Sequence, residues 1–281
     1  MKTSVYIKNK VHKLSLETGV NPNIILRHFI FEFFLEKLDK SKYCSQFVIK
    51  GGFLISSWIS IDHRTTMDLD LTVKSFLLTK ENLRLSIHEI LTIETIQDLT
   101  MALVDIEEIR ENDQYPGFRA TILVLLDGLR ERIKIDFTTG DLITPSPIIY
   151  HYRKILDQNV LKLHTYNFET VISEKMETIL SRGIFNTRLR DFYDVFTIWK
   201  LMRKDIVIDT LRHAFDNTSL YRNNKKFKLE EVLQRIDMLE TDHKIIEQWG
   251  VYQANHAYAK NVKFVETIAA VKEICLNSIN A

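Results

Sequence analysis

Apolar positions along this chain follow two different periods, and the change between them divides it. From residue 22 to residue 39 they recur at helical spacing, with Asn21 placed to cap and Pro22 at the first helical position. FVIKGG (47–52) is a short apolar run that breaks at two glycines and predicts a buried strand. FLISSWIS (53–60) predicts a short helix, and MDLDLTV (67–73) alternates as a strand does. Helical spacing returns in NLRLSIHEILTIET (82–95), followed by three strand candidates, LVDIEEI (103–109), FRATILVLLD (118–127) and RIKIDFTT (132–139). TGDLITPSP (139–147) holds two of the four prolines. Beyond it, helical periods cover 168–182, 188–203, 206–215, 228–239, 242–256 and 261–278. The shift places a boundary near residues 145–160. The expected fold is an α/β (α+β) domain with N-terminal helices and a short mixed sheet over 1–147, then an all-helical domain over 148–281.

Composition narrows the classes of function. With 281 residues, 45% of them hydrophobic, the chain can bury a real core. A net charge of +1 creates no global basic field, so contact with nucleic acid would need a local patch. Candidates are Lys200, Arg203, Lys204, Arg222, Lys225, Lys226 and Lys228, although a solvated loop would look the same. Cys44 and Cys275 lie far apart, and the nine histidines show no ligand spacing, so no zinc site is expected. Arg27, His28, Glu32, Glu36 and Lys37 interrupt the most apolar run, 24–38, which argues against a membrane span. No apolar signal-peptide core opens the chain, and a cytoplasmic location without membrane contact is expected.

The candidate chemistry lies in KGGFLISSWISIDHRTTMDLDL. In a strand, residues i and i+2 share a face, so Asp68 and Asp70 lie opposite Met67, Leu69, Leu71 and Val73, which are expected to face the core. RIKIDFTT places Asp136 in the same way, and neighbouring strands would bring three carboxylates together. Such a cluster repels itself unless a cation sits in it, and Mg²⁺ takes carboxylate and phosphate oxygens. Alone, the Asp-x-Asp pair would equally suit a solvated strand face. Gly51 and Gly52 add a close backbone approach and free helix N-terminal amides. Lys50, Arg64, Thr65 and Thr66 add cations and hydroxyls, and the combination reads as a triphosphate cradle beside a metal site.

The order of two glycines, a short helix, Asp-x-Asp and a third aspartate on a later strand resembles the DNA polymerase β-type nucleotidyltransferase superfamily. KGGFLISSWISIDHRTTMDLDLTV is more closely similar to the AbiEii-type toxin nucleotidyltransferases of bacterial abortive-infection systems. YPGFRATI (115–122), IKIDFTTGDLITP (133–145), YNFETVISEKMETILSRG (166–183) and NTRLRDFYDVF (186–196) agree with that resemblance. Fifteen residues separate Gly52 from Asp68, more than is common in the wider superfamily, which implies a longer loop at 60–66. The resemblance implies an Mg²⁺-dependent transfer of a nucleoside monophosphate from an NTP, GTP or CTP, to an acceptor such as the tRNA 3′ end. Asp68, Asp70 and Asp136 would be metal ligands, with Asp136 also helping to deprotonate or orient the acceptor hydroxyl. Lys50, Gly51, Gly52, Arg64, Thr66 and Lys175 would hold the triphosphate.

By spacing alone, Lys175 is a lysine snorkelling beside Ile172, Met176 and Ile179, and Asp191 and Asp194 are ion-pair partners for Arg188 or Arg190. Glu174 is another candidate partner for those arginines. By resemblance, one of the two aspartates is essential. An antitoxin encoded nearby is the implied partner. A protein or small-molecule acceptor, or a nucleotide-binding module without catalysis, stays open as an alternative.

Overall fold

The structure, a computed structural model, describes residues 3–95, 99–109 and 117–279. Tyr115 and Pro116 of the YPGFRATI block lie outside the described residues. The chain forms two compact units, the first made of residues 1–141 and 147–165, the second of 142–146 and 166–281.

The first unit is built on a mixed sheet. Its strands are β1 (Phe47–Lys50), β2 (Leu69–Val73), β3 (Leu99–Glu108), β4 (Gly117–Leu126), β5 (Leu129–Thr138), β6 (Ile148–Arg153) and β7 (Val160–Thr165). The order across the sheet is β3-β4-β5-β2-β1-β7-β6. β2 runs antiparallel to β1 and parallel to β5, which sets Lys50 opposite Asp70 and Asp70 opposite Asp136. Around the sheet lie α1 (Thr3–Thr18), α2 (Pro22–Asp39), α3 (Gly51–Ile59) and α4 (Lys80–Leu91). Asn21 caps α2 as expected, accepting from the Asn23 amide at 2.9 Å.

Residues 148–165 carry no helical period, yet the expected helical domain included them. They form β6 and β7 and belong to the first unit. Their signal is short: Tyr152, Leu161 and Leu163 are buried, with exposed His151, Arg153 and Lys162 beside them. They are tied down by the polar residues that interrupt α2. The fully buried carboxylate of Glu32 accepts from the Tyr152 hydroxyl at 2.7 Å and from the amides of Ile155 and Leu156 at 2.5 and 3.1 Å. Glu36 pairs with Lys154 at 2.7 Å.

Asp141 joins the three central strands at one point. Its Oδ2 accepts from Lys50 of β1 at 2.6 Å, Thr72 of β2 at 2.6 Å and Thr138 of β5 at 2.9 Å. Burial alone would raise its pKa, but the charge and hydrogen bond of Lys50, with the two hydroxyls, outweigh burial and hold it at about 2.

The second unit contains α5 (Phe168–Arg182), α6 (Leu189–Met202), α7 (Ile208–Asn223), α8 (Leu229–Thr241), α9 (His243–Asn255) and α10 (Phe264–Ser278). Ile172, Met176, Ile179, Phe192, Val195, Ile236 and Val271 form its core. The helix expected to end at 215 continues to Asn223 through a polar run. Buried Thr218 and Ser219 sit within that run, and the Ser219 hydroxyl donates to the Phe215 carbonyl at 2.7 Å.

A carboxylate held below its ordinary value of 3.8 stabilises the fold above that pH and loses the contribution as pH falls through about 2. Asp141→Asn is therefore expected to cost about 2 kcal/mol or more at neutral pH. Denaturant unfolding of both proteins at several pH values should show the gap narrowing between about pH 4 and 2.

Candidate active site

β1 ends at Lys50 and the chain turns directly into α3. Gly51 makes the turn with φ +69°, the left-handed region. A Cβ at Gly51 would collide with Oδ2 of Asp70 and stand 3.0 Å from its Cγ. One at Gly52 would lie 2.8 Å from the Thr66 hydroxyl and 3.0 Å from an Arg64 guanidinium nitrogen. Both glycines are thus required by close approach. Lys50, the residue that opens α3, makes no side-chain capping hydrogen bond to it.

The aspartates sit on the face the alternation predicted, with two differences. The strand begins at Leu69, so Asp68 precedes it and is exposed, and Met67 is 40% exposed rather than in the core. Asp136, opposite Asp70 in the parallel register, is gripped by Arg119 of β4 through two parallel bonds, Nε to Oδ1 at 2.7 Å and Nη2 to Oδ2 at 2.8 Å. The hydrogen bond to Asp136 raises the pKa of Arg119, with Glu107 and Asp68 adding to the field. Arg119 therefore sits among the negative charges where a cation was expected.

As a metal site, this arrangement is incomplete. Among the described residues, no group of three or more His, Cys, Asp or Glu side chains is placed to hold a metal ion. Asp68 and Asp70 offer the hard oxygen donors that a divalent ion takes, and these two fit. Asp136, expected as a third ligand, has both oxygens bound to Arg119.

The remaining cradle residues also differ from expectation. Arg64 and Thr66 are 2% and 4% exposed and support the glycine turn from within. Lys50 points to Asp141.

In the second unit, Lys175 of α5 reaches two aspartates of α6. Its Nζ lies 2.7 Å from Asp191 Oδ1 and 2.8 Å from Asp194 Oδ2. Burial would lower the pKa of Lys175, but the two carboxylates more than offset it and hold it above the usual value. Arg188 approaches the other oxygen of Asp191 at 3.1 Å, without hydrogen-bond geometry. The i, i+3 aspartates face one lysine, so Lys175 does not simply snorkel to water. Glu174 pairs with Arg222 at 3.0 Å.

A family profile, that of the AbiEii nucleotidyl transferase toxins of type IV toxin–antitoxin systems, matches residues 34–268. The chain belongs to this family. It is a nucleotidyltransferase of the toxin class, whose system implies an antitoxin partner and a nucleotide substrate. The fold is shared with crystal structures of two Helicobacter pylori proteins. A candidate nucleotidyltransferase is 12% identical with a TM-score of 0.52, over 92% of this chain and 95% of that one. JHP933 is 13% identical with a TM-score of 0.51, over 89% and 90%. No curated protein matches the chain significantly. Among the described residues, no helix is long and apolar enough to cross a membrane.

Arg119 was missed as a site residue, although FRATI lies within a family block. The signal was present: an arginine on a strand that alternates towards Asp136 in the next strand. The basic residues beyond α6 are largely engaged. Arg222 bonds Glu174 and Glu177, Lys226 pairs with Asp216 at 2.5 Å, Lys225 approaches Glu231 at 3.8 Å and Arg203 pairs with Glu273.

Two substitutions probe these arrangements. Gly51→Ala imposes a left-handed alanine, costing about 1–2 kcal/mol, and forces Asp70 aside, so both melting temperature and nucleotide transfer should fall. Lys175→Met leaves two buried carboxylates without their cation and should destabilise the protein by about 3–5 kcal/mol. Lys175→Arg, which keeps the charge, should recover part of that loss in the same unfolding assay.

Proposed function

We propose that the protein transfers a nucleoside monophosphate from GTP or CTP to the 3′ end of tRNA and releases pyrophosphate. The observation that carries this reading is the glycine turn at the start of α3, pressed against Asp70, which itself lies opposite Asp136 in the sheet register. The acceptor hydroxyl oxygen bonds to the α-phosphorus, its proton passes by way of Asp136 to solvent, and the bond from that phosphorus to the pyrophosphate oxygen breaks, the electron pair leaving with the pyrophosphate.

The chain's own residues divide this work. The amides at Gly51 and Gly52 cradle the phosphates, with Arg64, Thr66 and Lys50 shaping the turn and lending it charge. Asp68 and Asp70 would hold Mg²⁺, which when bound neutralises phosphate charge. Each Asp136 oxygen keeps a lone pair beyond its bond to Arg119, so the fixed carboxylate orients the acceptor hydroxyl. Lys175 gives two of its three hydrogens to Asp191 and Asp194 and keeps the third for a phosphate oxygen of the nucleotide. Lys204 and Lys228, with partial help from the ion-paired cations near them, supply contacts to tRNA phosphates. The setting is a cytoplasmic toxin, restrained by an antitoxin encoded beside it and acting in abortive infection as phage defence.

The test is incubation of the protein with tRNA, Mg²⁺ and each labelled NTP in turn. Label should appear at the RNA 3′ end, and Asp70→Asn should reduce it by about 10²-fold or more. A folded Asp70→Asn protein with full transfer would overturn the site assignment. Label on protein or on a small molecule would overturn the acceptor.

A further inference from the structure

The first unit contains a cavity of about 150 Å³ whose walls include none of the proposed catalytic residues. His28 of α2, Ser56 and Ser57 of α3, Ser60 just beyond it, Thr18 of α1 and Arg153 of β6 line it. His28 is 2% exposed, and neither of its ring nitrogens has a hydrogen-bond partner among the described residues. A buried polar atom without a partner loses its hydration and gains nothing in return. The ring is also fixed in place, stacked on Phe53 with centroids 5.2 Å apart.

The chemistry of the walls selects the occupant. Burial, with the charge of Arg64 as a smaller cause, lowers the His28 pKa to about 3. The imidazole is thus neutral at physiological pH and shows one donor and one acceptor. Three wall hydroxyls have already committed their hydrogens, Thr18 to the Leu14 carbonyl, Ser57 to the Leu54 carbonyl and Ser60 to Asp62. Ser57 and Ser60 therefore offer lone pairs, which call for N–H donors on the ligand. A cavity of this volume admits one six-membered ring.

We propose that this cavity is a second binding site, one that takes a small neutral heterocycle carrying amide-type N–H and C=O groups. The ligand is the size of a single pyrimidine ring. His28 bonds it through a ring nitrogen, and the Ser57 and Ser60 hydroxyls accept from its N–H groups. The proposal uses none of the aspartates and stands apart from the transfer reaction.

Free uracil serves as the probe, with saturation-transfer NMR and thermal shift on the full chain. Wild type should show saturation transfer at millimolar uracil and a raised melting temperature. His28→Phe keeps the ring on Phe53 but removes both nitrogens. It should lose both responses while melting higher than wild type without uracil. Ser56→Leu fills the cavity with His28 intact and should lose the responses as well. Absence of both responses in wild type would overturn the proposal, as would responses undiminished in both variants. So would a crystal of wild type grown with uracil that shows only water in the cavity.

Discussion

The site depends on the approach of the Asp70 carboxylate to the backbone of Gly51. It requires a residue without a side chain, in a conformation that residues with side chains avoid. The antiparallel pairing of Lys50 with Asp70 sets the approach, and the parallel pairing of Asp70 with Asp136 extends it to a third strand. Asp141 fixes the same three strands by accepting from Lys50, Thr72 and Thr138 with a single carboxylate oxygen. The turn, the helix start and the aspartates are therefore positioned by one rigid part of the sheet. Such rigidity suits electrostatic catalysis, in which groups must be placed before charge develops.

The two units use the same device, each within itself. Arg119 grips Asp136 in the first unit, and Lys175 is gripped by Asp191 and Asp194 in the second. Each pairing satisfies charges that would otherwise be costly to hold together or to bury. It also leaves directed capacity, a lone pair on each Asp136 oxygen and one hydrogen on the lysine. The pairings explain how a nearly neutral chain concentrates chemistry without a strong overall field.

Much of this was legible in the sequence because it is local. Alternation placed Asp70 and Asp136 on their strand face, and the two glycines announced a close approach. What sequence could not supply was the partner of each charge, which depends on strand order. Arg119 finds Asp136 only because β4 and β5 pair in one register, and Lys50 turns from the cradle to Asp141 because β5 returns beside β2. β6 and β7 escaped notice because each is six residues long and mixes exposed apolar positions, such as Ile149 and Val160, with the few that it buries. Their anchors are Glu32 and Glu36, which in sequence look only like interruptions of an apolar helix. Arg64 reads in the sequence as a cradle cation, and its burial against the glycine turn depends on contacts that the sequence does not show.

The most direct measurement is a crystal structure of the protein with Mg²⁺ and a non-hydrolysable analogue of GTP or CTP. The account predicts triphosphate oxygens on the amides of Gly51 and Gly52 and the metal on the carboxylates of Asp68 and Asp70. A nucleotide bound away from the glycine turn, with Asp70 contacting neither metal nor phosphate, would contradict it.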